Sequence, residues 1–172
     1  MVEHFKIFKV CLLAGKNVGK KTLEEISQKV PDHETGLTLG VEWFYKDVLV
    51  NGNITTKVQL WTNSNNETFQ PLWKFYIRGS NGIILMYDIT YANSLNVISE
   101  WYQRVKNQLD YEVPVLLVGN KLDLEENREV SKEQIKKFKT DNKISSSIEI
   151  SLKTGENVDA MLRKVIGIID SV

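Results

Sequence analysis

The sequence predicts an α/β protein with a mostly parallel sheet covered on both faces. Three observations carry this. Apolar, β-branched runs alternate with amphipathic segments of helical spacing, the pattern of strand–helix–strand crossovers. The run "GIILMYDI" at 82–89 is apolar on both alternating faces up to its acidic end, as a central strand buried on both sides must be. Finally, Asn51-Gly52 separates two strand-like runs. That is a strong hairpin signal, and it makes one strand antiparallel.

The elements follow in order. "FKIFKVCLL" (5–13) reads as a buried strand. A loop at 14–20 leads into a helix of about ten residues through "KKTLEEISQKV", ended by Pro31. "GVEWFYKDVLV" and "ITTKVQLW" are the hairpin strands, and the polar stretch 62–70 reads as a loop. "PLWKFYIRG" predicts a short helix with Pro71 in its first turn. In "NSLNVISEWYQRVKNQL", Leu95, Ile98, Trp101, Tyr102, Val105 and Leu109 recur at helical spacing. "VPVLLVG" is another buried strand, and "SKEQIKKFKTDN" a helix with Ser131 as N-cap. "SSIEIS" is a strand, and "ENVDAMLRKVIGIID" an amphipathic last helix. We expect one domain over residues 1–172.

Composition narrows the function. The formal net charge is zero, so bulk electrostatics give no sign of nucleic-acid or anionic-membrane binding. The single cysteine, Cys11, lies in an apolar run and fits a reducing, cytoplasmic setting, as a buried strand thiol. No apolar run reaches membrane-spanning length, and the final residues "GIIDSV" carry no lipidation cysteine. A peripheral membrane location stays open if a lipidated tail follows.

Three motifs sit where ligands bind in such sheets, beyond the carboxyl ends of the strands. The loop "AGKNVGKKT" ends in Gly19-Lys20, as a phosphate-binding loop does, but has Ala14 for its first glycine and Lys21 for its hydroxyl residue. Inward backbone N–H groups and a helix N-terminus make an anion site with little help from side chains. The candidates are Gly15, Lys16, Asn17, Val18, Gly19, Lys20, Lys21 and Thr22, with Thr22 still offering a hydroxyl. An ordinary tight strand-to-helix turn is the alternative for this loop alone. "GNKLD" is more specific. The Asp123 carboxylate matches a purine edge with N1–H and an exocyclic amine, which is guanine. Asn120 reads the opposite side, and the Lys121 stem covers the ring. Ser151, Leu152 and Lys153 complete the pocket with a backbone N–H.

With these motifs in this order, the chain resembles the Ras superfamily of small GTP-binding proteins, Rab branch. "TLGVEWFYKDV", "VQLW", "FYIRGSNGIILMYDITYANS", "GNKLDL" and "SLKTGENV" carry the likeness over nearly the whole chain. The resemblance implies a P-loop NTPase fold: a six-stranded, mostly parallel sheet with one antiparallel strand, flanked by five helices. It implies GTP or GDP as ligand. It implies that Thr38 is a switch threonine closing on metal and γ-phosphate, and that Trp43, Trp61 and Tyr76 face effector proteins on a monomer. Plain hydrophobic packing is the alternative for those three aromatics.

The departures from that pattern cluster at the phosphate end. Lys21 replaces the metal-binding hydroxyl and has no acceptor atom. After "VQLW" the family has Asp-Thr-Ala-Gly-Gln, whereas this chain has Thr62-Asn63-Ser64-Asn65-Asn66. Thr62 replaces the metal-anchoring carboxylate. Asn65 replaces the glycine that meets the γ-phosphate, and Asn66 the glutamine that orients water. The segment from Lys20 to Thr38 is one residue short, and His33 is its nearest candidate for covering the base. Lys16 crowds the approach of a donated arginine. Asn66 and Thr38 are the remaining catalytic candidates, and Thr38 the remaining metal ligand. The expectation is a nucleotide-holding, partner-docking module with little hydrolysis and weak or dispensable Mg²⁺. A slow GTPase completed by an activating protein and a nucleotide-free scaffold are the alternatives.

Overall fold

The computed structural model describes residues 6–29, 41–50, 54–63 and 73–172. Its strands are β1 (Lys6–Ala14), β2 (Gln28–Lys29), β3 (Val41–Val50), β4 (Ile54–Asn63), β5 (Gly82–Asp88), β6 (Val115–Asn120) and β7 (Ser146–Glu149). They form one sheet in the order β2-β3-β4-β1-β5-β6-β7. β1 pairs parallel to β4 and β5, and β5-β6-β7 continue in parallel. β3 runs antiparallel to β4, with Val50 opposite Ile54. The hairpin is therefore as expected, although Asn51-Gly52 itself lies outside the described residues. The six expected strands are present, and the two-residue β2 adds a short edge.

The helices are α1 (Lys20–Glu25), α2 (Trp73–Ile77), α3 (Ser94–Lys106), α4 (Lys132–Asp141) and α5 (Val158–Asp170). A 3₁₀ segment spans Leu122–Asn127. The strand period of two sorts the core into two layers. Val10, Leu12, Ile84, Met86 and Val118 face one way, onto Leu23 of α1 and Met161, Leu162 and Val165 of α5. Cys11, Leu13, Ile83, Leu85 and Leu117 face the other, onto Ile98, Tyr102 and Val105 of α3 and Phe138 of α4. All seven residues of β5 are buried, which is why its sequence lacks alternation.

Two boundaries differ from the sequence reading. α1 has six residues, not about ten. Only Leu23 of α1 is buried, Ile26 is exposed, and the Ser27 hydroxyl donates to the Leu23 carbonyl at 2.6 Å. With one apolar anchor and a competing side-chain bond, the helix stops and the chain pairs as β2 with Phe44 and Tyr45. Pro31, expected to end the helix, lies outside the described residues. β4 runs on through Thr62 and Asn63, which polarity assigned to a loop, because Glu42 and Val41 of β3 and Leu12 of β1 supply partners there. Pro71 and residues 64–72 also lie outside the described residues.

Candidate functional site

The carboxyl ends of β1, β5, β6 and β7 gather the motifs at one edge of the sheet. Gly19 precedes α1 with φ of 117°, a conformation that suits glycine. A Cβ there would lie 2.5 Å from the Asn120 amide nitrogen and 3.0 Å from Leu152. The loop after β1 is thus pressed against the loops after β6 and β7, with no room for a side chain.

Asn120 ties the three loops together. It is buried, its Nδ2 donates to the Val18 carbonyl at 2.7 Å, and its Oδ1 accepts from the Leu152 N–H at 3.0 Å. From its motif, this side chain is expected to read the base. The structure engages both ends of its amide with protein and makes it a clamp between the phosphate-type loop and the 151–153 turn. Its second N–H and second lone pair have no further partner among the described residues.

Asp123 is set on the 3₁₀ segment with its side chain 13% exposed. Its Oδ1 accepts from the Ser151 hydroxyl at 2.6 Å, a charge-assisted bond. The Lys153 ammonium stands 3.8 Å from Oδ2. Ser151 is fully buried, and its hydroxyl oxygen accepts from the Thr154 N–H at 3.1 Å. The carboxylate is held in one orientation with lone pairs left over. That is what reading two adjacent N–H donors requires.

Lys121 adopts a left-handed conformation, φ 74°, and its ammonium pairs with Asp88 Oδ2 at 2.5 Å. Asp88 ends β5 almost fully buried. Its Oδ1 accepts from the Thr90 N–H and hydroxyl at 2.8 and 2.7 Å. Ser94 accepts the Asp88 N–H at 2.7 Å. The motif search missed Asp88, although an acid closing a fully apolar strand was a usable signal.

A second missed group lies behind the site. Arg128 donates to both oxygens of Glu149, at 2.9 and 2.8 Å, and to both oxygens of Glu125, at 2.9 and 2.5 Å. It joins the 3₁₀ segment carrying Asp123 to β7, which leads into Ser151. These hydrogen bonds raise the Arg128 pKa and hold the Glu125 carboxyl below its ordinary range. Tyr87 is pushed up, first by burial and then by Glu149. Glu125 and Arg128 stand three residues apart, a pairing distance on one turn, but no spacing rule connects them with Glu149, so only the fold reveals the whole group.

At the phosphate end, burial lowers the Lys20 pKa, against an upward pull from Glu42. Lys16, Asn17 and Lys21 are exposed, while Gly15 and Val18 are buried. Thr62 is 2% exposed, and its hydroxyl has no hydrogen-bond partner among the described residues. Thr38, Asn66 and His33 lie outside the described residues. Among the described residues no group of three or more His, Cys, Asp or Glu side chains gathers to hold a metal. A hard divalent ion seeks oxygen ligands in octahedral array. An exposed ammonium at 21 and an isolated hydroxyl at 62 do not fit it.

Trp43 and Trp61 stack with ring centroids 5.6 Å apart and planes 10° apart, and Tyr76 follows at 6.5 Å from Trp61. The Lys9 ammonium sits 4.4 Å from the Trp61 ring. The family resemblance implies that these aromatics share one surface, and the structure brings them into one cluster. No helix among the described residues is long and apolar enough to cross a membrane.

The Ras family model matches residues 9–171. The chain belongs to the Ras family. Among curated relatives it is 33% identical over 162 residues to human Ras-related protein Rab-30, covering 94% of this chain and 79% of that protein. It is 34% identical over 158 residues to GTP-binding protein YPT1 of Saccharomyces cerevisiae, covering 91% and 76%. GTP-binding protein ypt3 of Schizosaccharomyces pombe is 30% identical over 165 residues, covering 95% and 76%. The likeness is thus to the Rab-type members.

Proposed function

We propose that this chain is a Rab-like guanine-nucleotide-binding module, a single G domain over residues 1–172, in which partner docking has outlived hydrolysis. The supporting observation is the assembled guanine end. Asp123 is oriented by Ser151, Asn120 clamps Val18 to Leu152, and Lys121 is anchored on Asp88. In this reading Asp123 accepts from guanine N1–H and the exocyclic amine, and the Lys121 stem lies along the base. The backbone of Gly15–Val18 with Gly19, Lys20, Lys21 and Thr22 surrounds the phosphates of GTP or GDP, and Lys20 supplies the point charge. A nearby phosphate raises the Lys20 pKa again.

The other end supports loss of chemistry. Phosphoryl transfer rests on positioning and electrostatics, and each missing element costs roughly 2–4 kcal/mol, or on the order of 10²–10³ in rate. Such losses need not add. Lys21, Thr62, Asn65 and Asn66 replace four of the family's elements. Mg²⁺ bound through Thr38 is accordingly weak or dispensable. The stacked Trp43 and Trp61, with Tyr76 tilted against Trp61, offer an aromatic face to an effector protein.

Single-turnover cleavage of bound GTP tests the hydrolytic half. A rate within about tenfold of an ordinary family member would restore the slow-GTPase reading. Asp123→Asn tests the binding half. It abolishes guanine retention if the chain holds nucleotide and changes nothing if the chain is a nucleotide-free scaffold.

A further inference from the structure

Outside the nucleotide end, an open cavity of about 790 Å³ lies between α4 and β7, and four lysines line it. Lys132, Lys136, Lys139 and Lys143 recur at helical spacing, so the topology puts them along one wall. The one carboxylate in the lining, Glu149, is already held by both of its oxygens on Arg128. Glu125, which Lys132 influences, is likewise bonded to Arg128. None of the four lysines makes an ion pair within 4.0 Å among the described residues. Lys139 instead donates to the Ser147 hydroxyl at 3.1 Å. In a chain of zero net charge, this is a concentrated positive wall.

Two of the four stand against local preference. Lys132 is the first residue of α4, where the helix dipole disfavours a cation. Lys143 has φ of 56°. It closes α4 in a Schellman arrangement, with the Ile144 N–H on the Lys139 carbonyl at 2.8 Å and its own N–H on Thr140 at 3.2 Å. Glycine or asparagine is the usual residue there. Helix stability alone explains neither position, whereas a negatively charged occupant of the cavity explains both.

We propose that this cavity binds an extended acidic segment of a partner protein. Lys132 and Lys143 are separated by about 16 Å along the helix direction, at 1.5 Å per residue. One phosphate group cannot meet charges so far apart, while about five extended residues span that length. Ile135 and Ile148 form apolar lining between the charges, suited to a side chain inserted from a peptide. A flat lipid surface does not enter a concavity. The proposal is independent of the nucleotide reading.

The test is fluorescence anisotropy with a labelled, glutamate-rich peptide carrying a central leucine, at low salt and at about 0.15 M. The proteins are the wild type, the double variant Lys136→Glu with Lys143→Glu, and Lys143→Gly. Saturable, salt-weakened binding is expected for the wild type, with a loss of at least about tenfold in the double variant. Lys143→Gly is expected to melt higher than wild type, since it relieves the left-handed lysine, and yet to bind the peptide more weakly. That result separates a binding role from a folding defect. Absence of peptide binding, or equal binding by all three proteins, overturns the proposal. Lysine-dependent binding that is tighter to phosphatidylserine vesicles or to inositol hexakisphosphate than to the peptide also overturns it, and assigns the cavity to a membrane or a compact polyphosphate.

Discussion

Replacing Gly19 by alanine probes the junction on which the site depends. The new Cβ would stand 2.5 Å from Asn120 Nδ2, and the backbone has φ of 117°. The backbone strain costs about 1–3 kcal/mol. The amide must also shift from Val18 and Leu152, two hydrogen bonds worth about 1 kcal/mol each, more if a buried group is left unsatisfied. The sum is about 4 kcal/mol. For a chain of this size it lowers Tm by roughly 8–16 °C. The same shift opens the phosphate loop away from the guanine loops, so nucleotide retention falls by more than the stability loss implies. Thermal melting and nucleotide content on one preparation check both effects. A variant that melts and retains nucleotide like the wild type would show that Asn120 is not wedged against Gly19, and the clamp argument would fail.

Four further outcomes follow from the same contacts. Thr62→Val removes a buried hydroxyl without a partner among the described residues and is expected to raise stability by about 1 kcal/mol in chemical denaturation; a loss of that size would mean the hydroxyl is bonded in solution. Arg128→Ala releases Glu125 and Glu149 together and should lower Tm, because the Glu149 carboxylate loses its partner. It should also speed nucleotide dissociation, read with a fluorescent guanine nucleotide, because Asp123 and Ser151 lose their common support. Burial pushes the Cys11 thiol from its ordinary 9.0 up to about 12. Its folded pKa is raised, so its contribution to stability is whole below pH 9 and is lost as pH rises toward 12. Denaturation midpoints should therefore fall over that window, less so in Cys11→Ala, and native protein should resist iodoacetamide at pH 8 (the ordinary thiol range). Lys21→Ser with Thr62→Asp restores a hydroxyl and a carboxylate, and Mg²⁺ should then raise Tm and slow nucleotide release in the variant far more than in the wild type.

Much of the architecture was legible because period and punctuation agreed. The run 82–89 could only be a doubly covered strand, and Ser131 with Gln134 forms the reciprocal cap its position suggests. The residues expected at a guanine site were easy to single out because they are local: Asn120 to Asp123 is four residues of one turn. α1 was overestimated because its length depends on burial partners, and only Leu23 has them. Asp88 and the Arg128 group escaped because each draws partners from distant segments, 88 with 121 and 128 with 149. The same non-locality hid the double engagement of Asn120, whose partners are 102 and 32 residues away.

The central claim is that the chain holds guanine nucleotide while its metal-dependent chemistry has been lost. Denaturing the purified protein and separating the released nucleotides by anion exchange, with and without prior EDTA treatment, tests it most directly. Stoichiometric nucleotide that survives EDTA, with uncleaved GTP among it, is the predicted result. An empty protein, or GDP alone that EDTA strips away, would contradict it.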